Sequence, residues 1–68
     1  MYLKRLKDLR EDNDYTQKYI ASLLKISQNS YSDIERGITN ISVDFLILLA
    51  DLYNVSIDYI LERDNKKR

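Results

Sequence analysis

Apolar residues recur along this chain at three- and four-residue spacing, the period of α-helices that share one core. The two-residue alternation of half-buried strands is missing. Leu3, Leu6 and Leu9, with Lys and Arg between them, predict an amphipathic helix over about 2–12. The polar run Glu11-Asp12-Asn13-Asp14 ends it, and Asn13 is expected to take the left-handed conformation there. Thr16 predicts the N-cap of a second helix with Ile20, Ala21, Leu23 and Leu24 on its buried face. After a break at Lys25-Ile26, Ser27 caps a third helix that turns Tyr31 and Ile34 inward.

Gly37, the only glycine in the chain, falls just past that third helix, where a left-handed residue is wanted and a side chain costs most. Ser42 and Ser56 open two more helices, over about 43–53 and 57–63. Each cap is followed two places on by an acid, Asp44 or Asp58, that suits the positive end of the helix dipole. Five short helices with short connections predict an all-α, compact five-helix bundle over 1–65, followed by a basic tail, Lys66-Lys67-Arg68. In the fourth helix, Leu46, Leu49, Ala50 and Tyr53 form one apolar stripe and Phe45, Leu48 and Leu52 a second. Either the helix is buried on most sides within its own domain, or part of the second stripe belongs to a partner chain. We assign Phe45 and Leu52 to the domain's own core and place a dimer contact nearer Ile57 and Tyr59.

Composition narrows the function more than the fold. Without Cys or His there is no disulfide and no thiolate or imidazole metal site. With no Gly-rich loop and no paired carboxylates in a plausible cleft, neither an enzyme nor a cofactor is expected. The longest apolar run, Phe45 to Ala50, is far too short to span a bilayer, and the charged opening residues do not form an export signal. A cytoplasmic protein without membrane contact or small-molecule ligand is the expectation. Net charge is zero, which counts against a nucleic-acid binder until the charge is read by segment. Residues 1–10 carry +3, 11–14 carry −3, 15–42 carry +1, 43–65 carry −4, and the last three residues +3. The acid is concentrated in the last two helices.

Residues 16–35, TQKYIASLLKISQNSYSDIE, have the layout of a helix-turn-helix. Two short helices that cross steeply need a small residue at the crossing, Ala21, and apolar plugs after the turn, Ile26, Tyr31 and Ile34. Gln28, Asn29, Ser32 and Asp33 then lie opposite those plugs. Gln and Asn suit adenine, whose N6 donates and whose N7 accepts. With these marks in register, the chain resembles the phage-repressor and Cro-like regulators, called Xre-type, and their lambda-repressor-like fold. The marks are Thr16-Gln17, Ala21, Ile34-Glu35-Arg36-Gly37, Leu49-Ala50 and Val55-Ser56-Ile57-Asp58, and the resemblance covers Leu3 to Leu61.

That resemblance implies a DNA-binding transcriptional repressor working as a homodimer on a palindromic operator in double-stranded DNA. It also implies roles residue by residue. Gln17 would hold a phosphate and brace the first recognition residue. Gln28, Asn29 and Asp33 would face base edges with Ser32 beside them, while Ser27, Ser30, Arg36 and the loop around Asn40 would reach phosphates. Arg10 and Glu35 match a family ion pair that ties the first helix to the third. Two positions depart from the pattern. Lys25 stands where the turn usually has Gly, so either a Lys is strained into left-handed space or the turn changes shape. Asp33 either accepts from a cytosine N4 or bonds within its own helix. An antitoxin-like protein-interaction module on the same fold is the alternative, favoured by the neutral charge and the apolar fourth helix.

Overall fold

The structure, a computed structural model, describes residues 2–62; the predicted basic tail and the end of the 1–65 domain lie outside them. Among the described residues there are five helices and no strand: α1 (Lys4–Asp12), α2 (Gln17–Leu24), α3 (Gln28–Glu35), α4 (Val43–Tyr53) and α5 (Ile57–Ile60). Four of them start as the serine and threonine positions predict. Thr16, Ser27, Ser42 and Ser56 are each extended, and each side chain accepts a hydrogen bond from the backbone N–H three residues on. That satisfies one of the orphan donors at every N-terminus.

The helix ends share one device. After α1, α2, α3 and α4 a single left-handed residue reverses the chain: Asp14 (φ 58°), Lys25 (φ 59°), Gly37 (φ 80°) and Asn54 (φ 55°). In each case the next residue's N–H returns to the carbonyl five positions back: Tyr15 to Arg10, Ile26 to Ala21, Ile38 to Asp33 and Val55 to Ala50. This is the Schellman closure, which satisfies carbonyls that have no partner in the helix. It corrects the expectation for Asn13, whose φ is −98°. The Asn13 amide instead donates to the Leu9 carbonyl at 2.8 Å, and the left-handed position passes to Asp14. Of the two alternatives for Lys25, the structure shows the first: the side chain is held in left-handed space.

α1 starts at Lys4 rather than near residue 2, because Tyr2 and Leu3 lie outside the helix, with Leu3 at φ −113° and ψ 85°. Tyr2 crosses Gly37 so closely that a Cβ there would lie 2.8 Å from the Tyr2 backbone. α5 is also shorter than the predicted 57–63, since Glu62 turns left-handed (φ 61°). The Tyr59 carbonyl is taken by the Arg5 guanidinium at 2.8 Å and by the Glu62 N–H, and the helix stops. Arg5 also lies 4.3 Å above the Tyr59 ring, a cation–π contact that fastens α1 to α5.

The core gathers Leu3, Leu6, Leu9, Ile20, Ala21, Leu24, Tyr31, Ile34, Leu46, Leu49, Ala50, Tyr53, Val55 and Ile60. Phe45 and Leu52 pack against it, as assigned, and so do Ile57 and Tyr59 with part of their surface. Leu48 does not, and Val43 and Ile47 beside it are likewise exposed. Among the described residues no helix is long and apolar enough to cross a membrane.

The two left-handed positions around α3 generate opposite expectations. Lys25→Gly should raise stability by about 1 kcal/mol, the cost of holding a side chain in left-handed space. Gly37→Val should lower it by more than about 1 kcal/mol, since a β-branched residue at positive φ also meets the Tyr2 backbone. Urea denaturation of the two variants beside the parent checks both signs.

Candidate nucleic-acid interface

α2 and α3 are eight residues each, and the turn between them is held by the Lys25 reversal and the Ser27 cap. Ile20, Ala21 and Leu24 of α2 meet Tyr31 and Ile34 of α3 in the core, with Ile26 packed at its edge. Because one face of α3 is buried through Tyr31, Ile34 and Glu35, its opposite face is presented outward. Gln28, Asn29 and Ser30 are exposed there, and Ser32 and Asp33 are half-buried.

Glu35 is buried to 4% exposure at the end of α3. Arg10 of α1 answers it with two parallel hydrogen bonds, Nε to Oε2 at 2.9 Å and Nη2 to Oε1 at 3.0 Å. A third N–H of Arg10 donates to the Tyr15 carbonyl at 3.0 Å, between α1 and α2. The Gln17 amide donates to Glu35 Oε1 at 3.3 Å and so braces the buried carboxylate from the first turn of α2. Burial pushes the Glu35 carboxyl up, but the Arg10 hydrogen bonds, with Tyr31 and Gln17 adding to them, outweigh it and hold it below the usual carboxylate range. The Tyr31 hydroxyl makes no hydrogen bond and acts on the carboxylate as a neighbouring dipole. Burial first, and the Glu35 charge second, push the Tyr31 and Tyr53 phenols up, so both stay neutral.

The remaining polar groups are engaged locally. Ser27 caps the Ser30 N–H and its hydroxyl lies 2.9 Å from that of Ser30. Arg36, just past α3, donates to Asp33 Oδ1 at 2.8 Å, the within-helix alternative for Asp33. Beside them Lys7, Arg10, Gln17, Ser32, Glu35 and Arg36 line an open cleft of about 330 Å³ with Tyr2. Lys7 belongs to this cleft and was not singled out by motif, although its place three residues before Arg10 on one face of α1 was available as a signal. Asn40 is exposed and lines a separate apolar groove with Leu3, Ile41, Leu46 and Leu61, away from that cleft. Ile57 and Tyr59 are half-buried on the α5 side.

Comparison with known proteins agrees with this geometry. The helix-turn-helix family profile matches residues 6–60. The HTH-type transcriptional regulator ImmR of Bacillus subtilis is 46% identical over 61 residues, which is 90% of this chain and 48% of that protein. The regulator AnsR of the same organism is 35% identical over 68 residues, all of this chain and 59% of that protein. The antitoxin PezA of Streptococcus pneumoniae is 34% identical over 61 residues, 90% of this chain and 39% of that protein. The chain therefore spans about half the length of the relatives it matches.

The lowered Glu35 pKa has a definite consequence for acid stability. A carboxyl whose folded pKa lies below its unfolded value stabilises the fold above the unfolded value. That contribution disappears as pH falls through the folded value. The wild type should thus lose stability more steeply than Glu35→Gln as pH falls below about 5, since the variant has no carboxyl to protonate. Arg10→Ala at neutral pH should cost about 3 kcal/mol, because it strands a buried charge. Denaturation midpoints of the three proteins across that range test both statements.

Proposed function

The chain belongs to the helix-turn-helix family, and from that premise we propose that it is a sequence-specific double-stranded DNA-binding regulator of transcription, acting as a homodimeric repressor on a palindromic operator. One observation carries the reading: α3 begins on a serine cap and turns Gln28 and Asn29 outward, while Tyr31, Ile34 and Glu35 lock its back to the core. A helix that enters the major groove reads bases with the side chains of its N-terminal turns. In this reading Gln28 and Asn29 meet base edges, with Ser32 and Asp33 beside them. Gln17, Ser27, Ser30, Arg36 and Asn40 meet phosphates, and the role is binding without catalysis. ImmR and AnsR, both named as transcriptional regulators, support it.

A homodimer suits a reading helix of only eight residues, because a two-fold pair doubles its base contacts. Ile57 and Tyr59 are the candidate interface, each with surface left over after packing on the core. The second reading, an antitoxin-like module whose main partner is a protein, is favoured by the likeness to PezA and by exposed Val43, Ile47 and Leu48 on α4. Binding to a duplex selected from random DNA, set against capture of a co-encoded protein, separates the two.

Gln28→Ala should weaken binding to the selected operator by about 1–3 kcal/mol and leave random-DNA binding nearly unchanged. Titrations on both duplexes measure it, and an equal loss on each would make Gln28 a positioning contact. For the assembly we expect a weak free dimer that tightens on DNA. The −4 charge of residues 43–65 repels across a two-fold axis, so the free dimer should strengthen with salt while DNA affinity falls. Sedimentation across a salt series tests this; a protein monomeric throughout, with equal affinity for a half-site and a full palindrome, would rule the dimer out.

A further inference from the structure

We propose that the Asp33–Arg36 ion pair is a latch on the reading face: Arg36 is released to a DNA phosphate only where Asp33 meets a base-edge amino group. The inference rests on the DNA-binding reading and adds to it a coupling between base recognition and backbone contact.

The two side chains stand at the junction of two surfaces. Asp33 lies on the outward face of α3 with Asn29, one turn before it, and Arg36 lines the cleft shared by Lys7, Arg10 and Gln17. Of those cleft cations, Arg10 is committed to Glu35, and Arg36 is drawn away to Asp33 Oδ1 at 2.8 Å. The pair is exposed, 63% for Arg36 and 40% for Asp33, and exposed pairs are weak enough to exchange partners. The backbone need not move for this. The Asp33 carbonyl accepts from Ile38 and Thr39, which fixes the end of α3 and leaves the exchange to side-chain rotation.

The chemistry of the groove then decides which partner Arg36 keeps. Guanine and thymine present acceptors in the major groove, and a carboxylate can accept from neither. Over such a base Asp33 would be left unpaired if Arg36 departed, so Arg36 stays and one phosphate goes without its cation. Cytosine presents the N4 amino group, a donor that replaces the guanidinium, and Arg36 is free to turn to the backbone. Adenine is the poorer substitute, since its N7 acceptor sits beside the N6 donor.

Salt dependence reads the latch directly, because each neutralised phosphate adds about 0.9 to the slope of log affinity against log salt. Wild type, Asp33→Asn and Arg36→Ala are titrated on a selected operator and on random duplex over a salt series. For the wild type we expect a slope steeper on the operator by about 0.9 per bound protomer. In Asp33→Asn the random-DNA slope should rise to match, and random-DNA affinity at 0.1 M salt should increase about eightfold, the effect of one more released counterion. Base preference at the contacted position should move from cytosine to adenine in the same variant. Arg36→Ala should show the lower slope on both duplexes and keep the cytosine preference. A wild type that binds DNA with equal slopes, or an Asp33→Asn protein with unchanged slopes and preference, overturns the latch alone. A wild type that binds no duplex at any salt overturns the DNA-binding reading and the latch with it.

Discussion

Glu35 is the one charged side chain buried in the core among the described residues, and a carboxylate out of water is costly unless it is well paired. Three helices supply the answer. Arg10 reaches it from α1 with a two-point bond, Gln17 reaches it from the first turn of α2, and Glu35 itself closes α3. The same guanidinium also holds the Tyr15 carbonyl in the link between α1 and α2. A pair with two parallel hydrogen bonds fixes direction as well as distance, so the rotation of α3 about its own axis is set from behind. The outward placement of Gln28 and Asn29 follows from that. Hydrophobic burial of Tyr31 and Ile34 would tolerate small rotations; this ion pair would not.

The capping residues were legible because the chemistry is local. A hydroxyl at Thr16, Ser27, Ser42 or Ser56 can reach only a few backbone N–H groups, and the apolar periodicity after each one says which way the helix runs. Helix ends were less legible for a related reason. Gly37 announces itself, since glycine alone is at ease with positive φ, but Asp14, Lys25 and Asn54 take the same conformation with a side chain attached. At the end of α1 both Asn13 and Asp14 could serve. The tie is broken by a bond between the Asn13 amide and the Leu9 carbonyl that no propensity records. α4 reads easily on its inner stripe and poorly outside, because Val43, Ile47 and Leu48 are apolar and exposed, against the pattern that identifies a core.

What stayed hidden in the site was long-range or depended on a choice among partners. Arg5 is an ordinary charged residue of an amphipathic helix until α5 is packed beside it, when its guanidinium takes the Tyr59 carbonyl and ends that helix. The resemblance named Arg10 and Glu35, and the structure adds Gln17 to them through an amide bond that spacing along the chain does not reveal. Asp33 could be read two ways from sequence because two acceptorless donors compete for it, a neighbouring guanidinium and a base. In the structure the neighbour holds it.

These pairings also account for how a chain of zero net charge could serve the proposed DNA contact. Non-specific affinity grows with the number of phosphates a surface neutralises. Behind α3 Arg10 is bound by Glu35, and on its outward side Arg36 is bound by Asp33, so two of the cations near α3 are already balanced within the protein. A surface of that kind holds arbitrary DNA weakly. The acid of the last two helices lies on other elements and adds a long-range field that salt screens within about 10 Å at 0.1 M. In the proposed reading, affinity for a particular sequence comes from base-edge bonds at Gln28, Asn29 and Asp33, each of which would be lost on the wrong base. Weak general binding with bonds that depend on the base enlarges the ratio of specific to non-specific affinity, and that ratio, more than tightness, determines whether a regulator finds its operator among competing sites.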